Sequence, residues 1–174
     1  MTDAIVARQP IFDLAQKLVG FELLYRHSAG ATAATGPSSA VMASTTIVQA
    51  VLGIGLDRLS EGERAWMNFS REMIVERAWE LLDPTAVVIE LLETIEPDEA
   101  VVAAVAEGKR RGYTFALDDF EWDPKWIPLL KHVPLVKVDV LGRTPAELKP
   151  LIRELMPYNV TLLAERVENG DVLE

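Results

Sequence analysis

Cysteine is absent from this chain of 174 residues, so neither a disulfide framework nor a thiolate metal site can be built. Histidine is nearly absent: His27 and His132 stand far apart without ligand spacing and read as surface or loop residues. Basic charge is in deficit, with 17 Lys and Arg against 27 Asp and Glu and a formal net charge of −10. No basic patch is concentrated anywhere, which argues against nucleic acid as a partner. Long apolar runs are missing too, since no stretch approaches the length of a spanning helix. The N-terminal Met-Thr-Asp-Ala-Ile-Val-Ala-Arg has no basic region leading into an apolar one. These absences lead us to expect a soluble chain in the reducing cytoplasm, with no membrane partner. What is present is hydrophobic content of 49%, enough for one sizeable core.

Short apolar runs bounded by turn residues alternate with helical stretches. Strands are expected at Ala4–Arg8, Val19–Arg26, Ala65–Ser70, Ala86–Leu91, around Thr114–Phe120, Leu135–Val140 and Val160–Glu165. Between them, residues 29–39 are loop by composition, and Ser38 or Ser39 can cap a helix running to about Leu52. Further helices are expected over Arg71–Leu82, from Pro97 as first helical residue to Arg111, and over Pro145–Met156. Gly53-Ile-Gly55 follows a helix rather than a strand, the wrong context for a phosphate-cradling loop.

The stretch Thr114-Phe-Ala-Leu-Asp-Asp-Phe120 ends a strand in two adjacent carboxylates, Asp118 and Asp119, which repel unless a cation or water meets them. Taken alone, Asp118 is most simply the cap of a following helix. Repetition changes that reading, because strand after strand carries an acid or amide near its end: Glu22, Asn68, Glu90, Asp118 with Asp119, Asp139 and Glu165. Alternating strands and helices imply right-handed crossovers and a parallel sheet, so these groups should converge on the face where barrel enzymes build their sites. Oxygen ligands without Cys suit Mg²⁺ or Mn²⁺. The four tryptophans, Trp66, Trp79, Trp122 and Trp126, read as packing residues, although Trp122 and Trp126 flank the loop after the Asp pair.

Seven ordered segments carry a resemblance over essentially the whole chain. Arg8-Gln-Pro-Ile-Phe-Asp13, Phe21-Glu-Leu-Leu-Tyr-Arg26, Met67-Asn-Phe-Ser70, Ile89-Glu-Leu-Leu-Glu93, Leu117-Asp-Asp-Phe120, Val136-Lys-Val-Asp139 and Leu163-Ala-Glu-Arg-Val-Glu168 resemble the strand motifs of EAL domains, the bacterial cyclic di-GMP phosphodiesterases. The wording of the first two is most similar to the branch in which an EAL domain precedes an HDOD domain, a branch often regarded as degenerate signalling modules. The resemblance implies an α/β fold, a TIM-type (β/α) barrel. It makes Glu22, Asn68, Glu90 and Asp118 metal ligands, with Asp119 serving a second metal, either Mg or Mn. It gives Lys137 a contact to water or phosphate, Glu165 the role of general base, Arg26 a contact to the ligand's phosphate, and Glu93 and Glu168 a part in shaping the site.

Three departures accompany it. The name-giving Glu-Ala-Leu is Glu22-Leu23-Leu24 here. The loop after the Asp pair, Gly-rich in the family, is Glu121-Trp-Asp-Pro-Lys-Trp126, bulky, charged and stiffened by Pro124. Seven strands are legible where such a barrel has eight, so residues 1–174 are expected to be an EAL-like domain lacking the last strand and helix, with an open edge suited to oligomerisation. The reading is a degenerate module of cyclic di-GMP signalling that binds a protein partner, an HDOD-like domain or cyclic di-GMP with little or no turnover. The alternative is an active Mg/Mn-dependent phosphodiesterase in the full-length protein.

Overall fold

The computed structural model describes residues 4–13, 15–27 and 55–167, excluding the side chains of residues 4, 5 and 25–27. The helix expected up to Leu52 lies outside them. The chain forms two compact units, Met1–Ile89 and Glu90–Glu174. The strand order is sequential in each: β1-β2-β3-β4 in the first and β4-β5-β6-β7 in the second, with the boundary inside β4.

In the first unit β1 (Ala4–Phe12) and β2 (Leu18–His27) form an antiparallel hairpin, with Gln9 opposite Glu22 and Pro10 opposite Phe21. This corrects the expectation that all strands run parallel. Asp13 closes the turn: its Oδ1 accepts from the backbone N–H of Ala15 and of Lys17, each at 2.9 Å. A connection this short can only make a hairpin, because a parallel crossover needs a dozen residues or more. The strand also runs through Pro10 rather than stopping there, as an edge strand permits.

β3 (Arg64–Phe69) then joins β2 in parallel, with Gly20 level with Arg64 and Glu22 level with Trp66. Glycine is required at position 20, since a Cβ there would lie 2.6 Å from both the Arg64 carbonyl and the Trp66 indole nitrogen. Ahead of β3 lies the short helix α1 (Leu56–Ser60). After it, α2 (Arg71–Val75) starts where Ser70 Oγ accepts from the Met73 N–H. The single helix expected over Arg71–Leu82 is instead two pieces: Arg77 takes a left-handed conformation at φ 59°, and a 3-10 turn over Ala78–Leu81 follows. That break seats Trp79 in the core, where its indole donates to the Ile74 carbonyl at 3.2 Å.

In the second unit β4 (Val87–Leu91) is buried along its whole length. α3 (Glu99–Arg110) begins after Asp98, whose Oδ1 accepts from the Val101 N–H at 3.0 Å. Pro97 therefore precedes the cap and is not the first helical residue, because the carboxylate supplies a better helix start. β5 (Thr114–Leu117), β6 (Leu135–Asp139) and β7 (Thr161–Glu165) run parallel, with Leu117 level with Val136 and Asp139 level with Glu165. A short helix α4 (Ile127–Leu130) leads to β6. α5 (Pro145–Leu155) leads to β7 from a capping box formed by Thr144 and Glu147. Val101, Val105, Phe115, Leu129, Leu130 and Val136 fill the core, whereas Thr161 and Leu162 of β7 are exposed.

Candidate functional site

Strand alternation sets the second unit's centre. On β6, Val136 and Val138 face one way and Lys137 the other, into the protein, where it is 1% exposed. A buried ammonium needs acceptors, and three carboxylates supply them: Nζ lies 2.7 Å from Glu90 Oε1, 2.7 Å from Asp118 Oδ1 and 2.9 Å from Glu165 Oε1. Backbone bonds fix the strand ends that carry these acids. Asp118 N–H donates to Leu91 O and Phe120 N–H to Lys137 O, both at 3.0 Å. Desolvation pulls the Lys137 pKa down, but the charges of Glu90 and Asp118 and its hydrogen bonds to them outweigh burial and leave it raised.

Asp118 therefore caps no helix. The 3-10 turn over Pro124–Trp126 is capped by Asp123, whose Oδ1 accepts from the Lys125 N–H at 2.8 Å. Asp119 differs sharply from its neighbour. It takes a left-handed conformation at φ 42° and is exposed, so only Asp118 of the adjacent pair meets Lys137.

Asp119 lines a cavity of about 480 Å³ together with Glu93, Trp122, Trp126, Arg143 and Arg166. Its wall is the loop that departs from the family pattern. Phe120 packs against Trp122 and Trp126 at ring-centroid distances of 6.5 and 6.1 Å, and Trp122 reaches Tyr158 at 6.2 Å. Asp139 also lines the cavity, where it accepts from the Leu141 N–H at 2.9 Å and is ion-paired to Arg166. Sequence reasoning gave Arg143 and Arg166 no role. The signal for Arg166 was its place directly after the acid ending β7; Arg143, in a loop, offered none.

In the first unit, the β2–β3 register puts Glu22 and Asn68 on the same face. Asn68 Nδ2 donates to Glu22 Oε1 at 3.3 Å. Among the described residues, Asn68 Oδ1 is buried and accepts no hydrogen bond, an unusual cost for an amide oxygen. An orphaned carbonyl-type oxygen beside a carboxylate, with no nitrogen or sulfur ligand, fits a hard divalent cation. The side chain of Arg26, and Glu168, lie outside the described residues. The structure thus brings together Glu22 with Asn68 in one unit, and Glu90, Asp118, Lys137 and Glu165 in the other, while Glu93 and Asp119 belong to the cavity.

No protein-family model matches the chain. It is 30% identical over 168 residues to the uncharacterized protein YuxH of Bacillus subtilis, covering 94% of the chain and 41% of that protein. It is 31% identical over 173 residues to the cyclic di-GMP phosphodiesterase CdgJ of Vibrio cholerae, covering 98% of the chain and 40% of that protein. The chain thus spans about two fifths of the length of these curated relatives. Among solved structures it is similar to YkuI of Bacillus subtilis, a protein with an EAL domain in complex with the substrate c-di-GMP and calcium. There the TM-score is 0.70 at 20% identity, over 98% of this chain and 51% of that one. Among the described residues no helix is long and apolar enough to cross a membrane. Sequential strands, strand-end acids and these likenesses agree on one architecture: the chain has the fold of the EAL domains, the cyclic di-GMP phosphodiesterase-like type of (β/α) barrel, with seven strands among the described residues.

Proposed function

We propose that this chain is an EAL-type module of bacterial cyclic di-GMP signalling that binds cyclic di-GMP or a protein partner, an HDOD-like domain among the candidates, with little or no turnover. The observation that carries the reading is the loop Glu121–Trp126. Its two indoles pack against Phe120, and Trp122 packs on to Tyr158, beside Asp119, where the family has small flexible residues. In-line attack on a phosphodiester needs metal and water held to a fraction of an ångström, and small misplacement costs a large factor in rate.

Glu22 and Asn68 in the first unit, and Glu90 and Asp118 in the second, are the residues that would serve as ligands of a divalent cation, Mg²⁺ or Mn²⁺, with Asp119 serving a second; a bound cation would supply Lewis-acid activation of water and charge neutralisation at the phosphate. Lys137, held by three carboxylates, is placed to keep Glu90 and Asp118 oriented. Glu165 would accept the proton of the attacking water and Arg26 would meet the phosphate. Glu93 and Glu168 would shape the site. The second reading, an active phosphodiesterase in the full-length protein, is favoured by the survival of all these residue types and by the 31% identity to CdgJ.

Incubation with cyclic di-GMP and Mn²⁺, with products resolved by chromatography, separates the two. The expected outcome is binding by calorimetry and hydrolysis no faster than the Mn²⁺ buffer control. Release of linear pGpG that Glu22→Ala abolishes would establish the enzyme instead. Where the full-length protein is silent as well, replacement of Glu121–Trp126 by a Gly-rich loop tests where the defect lies, with restored turnover locating it in the loop.

A further inference from the structure

The Lys137 cluster has a stoichiometry of its own. An ammonium has three N–H donors and no acceptor, and here it has three carboxylates, one from β4, one just after β5 and one from β7, within 2.7–2.9 Å. Lys137 and Glu90 are 1% and 0% exposed, so water screens their pairing little. As they stand, no three acids or histidines among the described residues are grouped to hold a metal ion; a divalent cation at the ammonium's position would need these oxygens drawn in to about 2.0–2.1 Å for Mg²⁺ or about 2.3–2.6 Å for Ca²⁺. Two cations cannot share that point.

We propose that the Lys137 ammonium is a built-in counter-cation that takes the place of a divalent ion among Glu90, Asp118 and Glu165, so that a metal reaches these oxygens only by displacing it. Lys137 is thus a positioning residue with two effects. It holds the carboxylates in place while no metal is bound, and it lowers metal affinity by competing for them. The proposal rests on Glu90 and Asp118 being metal-facing in the reading above, but it requires no turnover and no cyclic di-GMP.

The test is thermal unfolding of the 174-residue chain and its Lys137→Met variant in EDTA and in Mn²⁺, together with Mn²⁺ binding followed by electron paramagnetic resonance. In EDTA the variant should melt on the order of 10 °C lower, because the buried Glu90 and the partly buried Asp118 and Glu165 lose the lysine they share. Mn²⁺ should restore most of that loss while moving the wild type little, and the variant should bind Mn²⁺ at least about ten-fold more tightly. Equal Mn²⁺ shifts and equal affinities in the two proteins would overturn the proposal.

Should Lys137→Met fail to fold in both conditions, the wild-type chain decides through the ¹⁵Nζ resonance of Lys137, which its ion pairs protect from exchange. Saturating Mg²⁺ should abolish that protected signal. An unchanged signal would place the metal beside the ammonium, on the outward carboxylate oxygens, and reject displacement. That outcome would leave the signalling reading standing, whereas absence of cyclic di-GMP binding with the displacement intact would count against the signalling reading alone.

Discussion

The two polar groupings of this chain solve the same burial problem in opposite ways. In the first unit, Asn68 donates to Glu22 but leaves its own buried oxygen without a partner among the described residues. In the second, Lys137 meets three carboxylates at ion-pair distance. A buried charge is tolerated only when paired, and a buried amide oxygen only at a cost, so the second grouping has its charge balanced by the protein's own lysine while the first leaves one amide oxygen without a partner among the described residues. One sheet-forming sequence can therefore hold an ion-paired cluster and a polar pair with such an amide oxygen, and the two should respond differently to substitution.

The largest expected effect lies in the ion-paired cluster. Lys137→Ala should lower stability in metal-free urea unfolding by about 3–5 kcal/mol, the cost of stripping one partner from a buried ion pair. A loss under about 1 kcal/mol, the range of an exposed pair, would erase the contrast. The corresponding change in the polar pair, Asn68→Leu, should leave stability within about 1 kcal/mol, since it removes an unsatisfied oxygen along with one long hydrogen bond. Strong destabilisation of Asn68→Leu would mean that this oxygen too is partnered.

The pH dependence sharpens the same difference. Because the folded-state pKa of Lys137 is raised, its contribution is fully present below the unfolded Lys value and is lost only as pH rises beyond it through the folded value. The ion-paired cluster should therefore give no alkaline loss between pH 6 and about 10. On the acid side a smaller effect comes from the surface. Hydrogen bonds from the Thr144 backbone and hydroxyl hold the Glu147 carboxyl below its usual value, so its capping contribution is present above the unfolded pKa and is lost as pH falls through the folded one. Glu147→Gln should flatten that part of the acid unfolding curve, and an unchanged curve would show that the box contributes nothing there.

Much of this was legible in residue order. Every expected strand exists, with ends within a few residues of those expected, because burial period and turn residues are local properties. The acids at strand ends were visible for the same reason, whereas the caps Ser70, Asp98 and Thr144 came only with the structure. Three things were not legible. The antiparallel first hairpin was obscured by ending the first strand at Arg8, although the short stretch from there to Val19 leaves no room for a helical crossover. The break at Arg77 depends on the core space that Trp79 occupies, which no propensity reports. The pairing of Arg166 was not legible because its partner, Asp139, lies on another strand, although the arginine's place directly after the acid ending β7 was.

By itself the sequence determined the number and spacing of the strands, the oxygen-only character of the candidate ligands and the bulky loop after the Asp pair, since each is written in consecutive residues. Only the tertiary structure decided that Asp118 and not Asp119 meets Lys137, that this lysine is the shared partner of three acids, and that Asn68 Oδ1 is buried without a partner among the described residues. The physical reason is that side-chain pairing depends on inter-strand register and backbone φ. A one-residue slip or a single left-handed residue turns a carboxylate to the other face, and composition carries no trace of it.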